Sequence, residues 1–418
     1  MNMNDMLEIT RLVRNGGLME ATGKIQHALH GIPPQATTMG ASDTTANASI
    51  IEGAFRVIND ASIVSTHTAP VGQRRVRNPS ARFRAPQTLD RRECFQQPHR
   101  APVAPDQAPD VDSGGQFLTR SYTNHAGTRA YKLYIPGGNQ GQPLPLIVML
   151  HGCTQNPDDF AAGTRMNRLA EEHRCFVVYP AQTQAANPSK CWNWFNAADQ
   201  QRDEGEPSII AGITRHVINS HPVDKRRVYV AGLSAGGAMA AVMGMTYPDL
   251  YAAIGIHSGL PYAVADDLPS AFAAMQGRAA SGQGLHNAIP GTQACRRVIP
   301  TIVFHGDLDT KVHPHNADLL IAQWTTIIAR NGTHSKRAEK PRGTVHRGHV
   351  PDGHDYSRAT HCDLNGQIVL EQWLIHGAGH AWSGGSPGGS YTDPLGPDAG
   401  REMLRFFYEH PCLEMAGP

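Results

Sequence analysis

Residues Leu144 to Leu150, LPLIVML, contain no polar side chain. A run this short and wholly apolar reads as a strand covered on both faces. It does not stand alone. Phe176 to Tyr179, Val228 to Ala231, Ala252 to Ile256, Thr301 to Phe304 and Ile368 to Leu374 have the same character, and Tyr131 to Ile135 adds a further strand. Between them lie segments with helical spacing: Asp158 to His173, Pro207 to Ser220, Ala235 to Tyr247, Asn316 to Arg330 and Asp398 to Glu409. In the second of these, Ile209, Ile210, Ile213, Val217 and Ile218 share one side. Strands alternating with helices form βαβ units. The expected fold class is therefore α/β, a mostly parallel sheet with helices on both faces.

This regular pattern covers 113–418, the expected catalytic domain. In residues 1–30, Met6, Ile9, Leu12, Val13, Leu18, Ile25 and Leu29 recur at roughly helical spacing, interrupted by Asn15-Gly16-Gly17, and read as an amphipathic hairpin for docking or self-association. Residues 31–112 are rich in Pro, Ala and Arg and bury too little to offset their ordering entropy, so a disordered linker is expected there. The first 23 residues lack an uninterrupted apolar core and a small-residue cleavage site, so they do not read as a secretory signal, and no apolar run approaches a membrane span. With 37 basic against 36 acidic residues, bulk charge points to neither a nucleic-acid nor a membrane partner. The seven cysteines include no CxxC pair, and no HExxH occurs, so no metal site is expected.

One serine stands in a demanding place. In RRVYVAGLSAGGAMA, Ser234 follows a strand, precedes a helix and is surrounded by Gly232, Ala235, Gly236 and Gly237. This is the G-x-S-x-G nucleophile elbow, a turn so sharp that its neighbours must be small. A serine hydroxyl needs a base to take its proton, and a histidine base needs a carboxylate to orient it. In this setting the acid and then the histidine follow the serine along the chain, each on a loop after a strand. The loop after Thr301 to Phe304 offers Asp307 and Asp309. The loop after Ile368 to Leu374 offers His376 and His380. Position alone chooses neither between the aspartates nor between the histidines; His380, beyond the strand end in a loop that could reach the serine, is favoured. Two backbone amides should receive the oxyanion: that of Ala235, and that of Cys153 in the loop after LPLIVML. Ser234 already occupies the elbow, so Cys153 is not expected to be a nucleophile. Its thiol should be buried or paired, with Cys191 the best partner.

The motifs LHGCTQN, CWNWF, GLSAGGAM, FHGDLDTKV and GAGHAWSGG, in this order, resemble the poly(3-hydroxybutyrate) depolymerase family of α/β-hydrolase esterases over roughly residues 117–410. The resemblance selects Asp309 as the acid and His380 as the base, and matches Cys153 to the family's oxyanion-loop cysteine. It implies hydrolysis of short-chain polyhydroxyalkanoate esters through an acyl-serine, without a metal or organic cofactor. It also implies a polyester or oligoester substrate and an extracellular setting, against which the N-terminal residues leave a cytoplasmic one open. Trp192, Trp194 and Trp382 are candidates for lining the cleft, with core packing the alternative for each. Feruloyl or acetylxylan-type carbohydrate esters, or short-chain carboxylic esters in general, are the alternative substrates, because fold does not fix substrate.

Overall fold

A computed structural model of the protein describes residues 114–278, 299–331, 343–363 and 366–412. These residues belong to one unit, Phe95–Pro418. The helical segment expected at 1–30, its self-association and the linker at 31–112 lie outside the described residues.

A ten-stranded sheet forms the centre, in the order β1-β2-β4-β3-β5-β6-β7-β10-β9-β8. The six inner strands run parallel: β4 (Phe176–Pro180), β3 (Leu144–Leu150), β5 (Val223–Leu233), β6 (Ala253–His257), β7 (Thr301–Gly306) and β10 (Ile368–Ile375). Every residue of β3, β4, β6 and β7 is buried, as their apolar runs require. An antiparallel pair finishes each edge. These are β1 (Gln116–Asn124) with β2 (Gly127–Ile135), and β9 (Asp355–Cys362) with β8 (Gly343–His349). Such strands keep one face in water and carry polar residues. That is why β1, β8 and β9 leave little trace in the hydrophobic pattern.

Helices cover both faces. On one side α3 (Gly205–Ser220) and α4 (Ala235–Thr246) pack against the sheet with Ile209, Ile210, Ile213, Met239 and Met243. All residues of α4 are buried, and its Ala, Gly and Met side chains let its backbone come close to the strands. A further helix, α5 (Leu268–Met275), starts at the capping box of Asp267 and Ser270. Trp324 of α6 (His315–Asn331) joins this layer. On the opposite face α7 (Ala399–Glu409) inserts Met403, Leu404, Phe406 and Phe407, and Phe407 stacks on Tyr229 of β5 at 4.8 Å. This is the layered architecture of an α/β-hydrolase. Among the described residues no helix is long and apolar enough to cross a membrane.

One helix differs from expectation. The segment read as continuous from Asp158 to His173 is two helices, α1 (Pro157–Thr164) and α2 (Met166–His173). They are separated at Arg165, whose backbone is left-handed with φ 55°. Thr164 Oγ1 turns back to donate to Phe160 O, 2.7 Å, and Arg165 donates to the Gly384 carbonyl. The break thus ties this segment to the loop that follows His380, a demand invisible in helical periodicity.

Candidate active site

Ser234 sits between β5 and α4 with φ 58° and ψ −119°. A non-glycine residue in such a conformation costs about 1–3 kcal/mol and persists only where its surroundings hold it. Two hydrogen bonds do so: Ser234 N–H donates to His257 O, 2.9 Å, and Ser234 O accepts from Ala238 N–H, 2.9 Å. The neighbouring glycines are required sterically. A Cβ on Gly236 would lie 2.0 Å from Leu150 O, and one on Gly232 would lie 2.3 Å from the Gly236 carbonyl. The ends of β3 and β5 and the start of α4 meet here at backbone contact. The Ala235 amide belongs to the first turn of α4, where the helix N-terminus favours negative charge.

The loop after β3 lies directly against the serine: a Cβ on Gly152 would be 3.5 Å from Ser234 Cβ. Its backbone is held on several sides. Gly152 N–H donates to Gln155 Oε1, 2.9 Å, and Thr154 N–H to Ser189 O, 2.7 Å, so the Cys153 amide lies between two anchored peptides. His151 Nδ1 donates to Gly152 O, 2.8 Å, while its Nε2 accepts from Gln182 N–H, 3.1 Å. Burial pushes His151 down to about 4, which keeps this bridging ring neutral near pH 7. Cys153 and Cys191 form a disulfide with Cα atoms 4.2 Å apart. The expected pairing is therefore present, and the bonded sulfur is no nucleophile.

The aspartates and histidines left unassigned by position form two pairs on the same two loops. His380 Nδ1 donates to Asp309 Oδ2, 2.7 Å. Asp309 Oδ1 accepts from the amides of Lys311 and Val312, each 2.9 Å. Burial works to raise the Asp309 carboxyl, but hydrogen bonds from His305 and His380 outweigh it and hold it well below the usual carboxylate range. It is an anion at any working pH, fit to orient an imidazole and to stabilise its cation. The second pair is His376 Nδ1 to Asp307 Oδ2, 2.9 Å. His376 Nε2 accepts from Ser357 Oγ, 2.8 Å, and Asp307 Oδ1 accepts from Gly377 N–H, 2.7 Å. Ser357 lies within strand β9, without the elbow that presents Ser234. This second network binds the loop carrying Asp309 to the loop carrying His380.

The three tryptophans do not lie open along a cleft. Trp192, Trp194 and Trp382 are 0%, 5% and 1% exposed. Trp192 Nε1 donates to His151 O, 3.1 Å, and so holds the loop that follows β3. Trp382 stacks on His257 at 5.2 Å and meets Phe160 edge-on at 5.6 Å. Trp194 packs edge-to-face on Phe195 at 5.5 Å. Core packing accounts for all three. Two residues near the centre gave no motif signal. His257, at the end of β6, supplies the carbonyl that holds Ser234, and its ring Nε2 accepts from Ser383 N–H, 3.0 Å. Tyr391, 45% exposed, places its ring 6.4 Å from that of His380. Among the described residues no group of three or more His, Cys, Asp or Glu could hold a metal ion.

The chain is similar to several known esterases. The chain is 32% identical over 267 residues to a poly(3-hydroxyalkanoate) depolymerase C of Paucimonas lemoignei, covering 62% of this chain and 59% of that protein. It is 30% identical over 224 residues to a feruloyl esterase B of Neurospora crassa, covering 51% of this chain and 74% of that one. It is 28% identical over 238 residues to a probable acetylxylan esterase A of Aspergillus fumigatus, covering 54% and 62%. The chain thus spans a little over half the length of the depolymerase. Among solved structures, an acetyl xylan esterase from Aspergillus awamori superimposes with a TM-score of 0.53 at 18% identity, over 71% of this chain and 99% of that one, which shows a shared fold. Residues 129–347 match the family described as Esterase PHB depolymerase, and the chain belongs to that family.

Proposed function

We propose that the protein is a serine esterase that cleaves short-chain polyhydroxyalkanoate esters through a Ser234–His380–Asp309 triad. The observation that carries the reading is the His380–Asp309 hydrogen bond on the two loops that follow the elbow serine in the chain. Asp309 occupies Nδ1 of His380, leaving Nε2 as the base. Ser234 Oγ attacks the ester carbonyl as His380 takes its proton. The oxyanion receives the amides of Cys153 and Ala235, and the cationic imidazole is stabilised by Asp309. His380 then returns the proton to the leaving alcohol oxygen, giving an acyl-serine. Water, deprotonated by the same imidazole, attacks the acyl-serine and releases the 3-hydroxyacyl group. Side chains and main-chain amides perform every step.

The likeness to the depolymerase supports a polyester or oligoester substrate. A second reading, feruloyl or acetylxylan ester cleavage, is supported by the likeness to carbohydrate esterases. The disulfide supports an oxidising, extracytoplasmic setting. The test is to give purified protein amorphous polyhydroxybutyrate granules, polymer film, feruloyl and acetyl sugars and soluble aryl esters in parallel. Ser234→Ala and His380→Ala should each lower the rate by about 10⁴-fold or more. Release of ferulate or acetate without hydroxybutyrate would move the protein to the second reading. Fluorophosphonate labelling that persists in Ser234→Ala would refute the mechanism.

A further inference from the structure

We infer that Tyr391 is a specificity-determining residue that receives the alcohol portion of the ester. The inference rests on the proposed triad and assigns a further contact to it. Tyr391 is 45% exposed, so its ring is open to a substrate. Its backbone has φ 53°, a left-handed conformation that is rare for an aromatic residue and tends to be kept where function requires it.

The surroundings hold that conformation firmly. Trp382 N–H, two residues beyond His380, donates to Tyr391 O, 2.7 Å. The preceding Ser390 is fixed by Asp159, whose carboxylate accepts from Ser390 N–H at 2.8 Å and from Ser390 Oγ at 2.6 Å. Gln155 Nε2 donates to Ser390 O, 3.0 Å, and the same Gln155 side chain accepts from Gly152 N–H in the oxyanion loop. Tyr391 is thus anchored to both loops that serve the reaction. Its ring stands edge-on to the His380 imidazole, with centroids 6.4 Å apart and planes at 78°, and its hydroxyl reaches Thr154 Oγ1 at 3.4 Å.

An ester whose carbonyl oxygen meets the Cys153 amide must place its leaving oxygen at His380, which protonates it. The group attached to that oxygen is the one that comes against Tyr391. A flat, partly exposed ring suits an apolar alcohol, aliphatic or aromatic.

Benzyl acetate and methyl phenylacetate are isomers that carry the phenyl ring on the alcohol side and the acyl side respectively, and so test the assignment directly. Tyr391→Gly removes the ring while keeping the left-handed backbone at no steric cost. It should lower the ratio of kcat/KM for benzyl acetate to that for methyl phenylacetate by about tenfold or more. Tyr391→Phe keeps the ring and should keep the ratio. A ratio that stays within about twofold in Tyr391→Gly, or a selective loss on methyl phenylacetate, overturns the assignment. Failure of the wild type to hydrolyse either ester or to react with fluorophosphonate would instead sink the esterase reading beneath it.

Discussion

The bridge between Cys153 and Cys191 ties the loop proposed to receive the oxyanion to the segment carrying Trp192, and its loss should reduce stability and rate together. The two cysteines are 38 residues apart in sequence. Chain-entropy arguments for a closed loop of that length give about 4 kcal/mol at 25 °C, within the usual range for removing a native disulfide. For a domain of about 300 residues the entropy of unfolding is roughly 0.6 kcal/mol/K, so the midpoint should fall by about 6 °C. The double variant Cys153→Ala/Cys191→Ala leaves no odd thiol and is the better perturbation. The bonds from Gly152 N–H to Gln155 and from Thr154 N–H to Ser189 O survive in it, so the Cys153 amide should be loosened rather than removed. The expected loss in kcat is about tenfold, below the 10²–10³-fold that follows removal of an oxyanion donor. Calorimetry and ester hydrolysis on the same samples, with wild type treated with dithiothreitol, would measure both effects. A midpoint within about 1 °C of wild type, or two titratable thiols at these positions in the native protein, would refute the reasoning.

Asp309→Asn should lower kcat by about 10⁴-fold, because an amide no longer fixes the His380 tautomer. Asp307→Ala should cost only about tenfold, with a lower melting temperature, because it frees the His376 loop by a fraction of an ångström and leaves the acid in place; steady-state kinetics separate the two. Gly236→Ala would put a Cβ 2.0 Å from Leu150 O, and should either prevent folding or lower stability by more than about 3 kcal/mol in urea unfolding. Burial pushes the buried rings of His151 and His257 down to about 4 and about 3. The unfolded chain therefore binds more protons, and stability should fall as pH drops below about 6.5 and continue to fall toward those folded values. Unfolding free energies measured between pH 7 and pH 4 check this, and a flat profile would contradict it.

The placement of the inner strands was legible in the sequence because burial on both faces leaves a local mark: LPLIVML could hardly lie anywhere but mid-sheet. The elbow was legible for a similar reason. Only small residues survive where Leu150 O approaches Gly236, and the sequence shows them. The loop after that same strand was expected near the serine, and Gly152 does lie against Ser234.

Partnerships across loops leave no such mark. Asp307 and Asp309 look alike in sequence, as do His376 and His380. The parallel register that sets Gly306 of β7 opposite Ile375 of β10 brings Asp307 to His376 and carries Asp309 on to His380. The polar edge strands β8 and β9, the break at Arg165 and the left-handed Tyr391 were likewise decided by tertiary contact, as was the burial of the three tryptophans. Hydrophobic pattern records how deeply a residue is buried. It does not record which distant atom the residue will meet, because that depends on the register of the sheet and on the loops the sheet brings together.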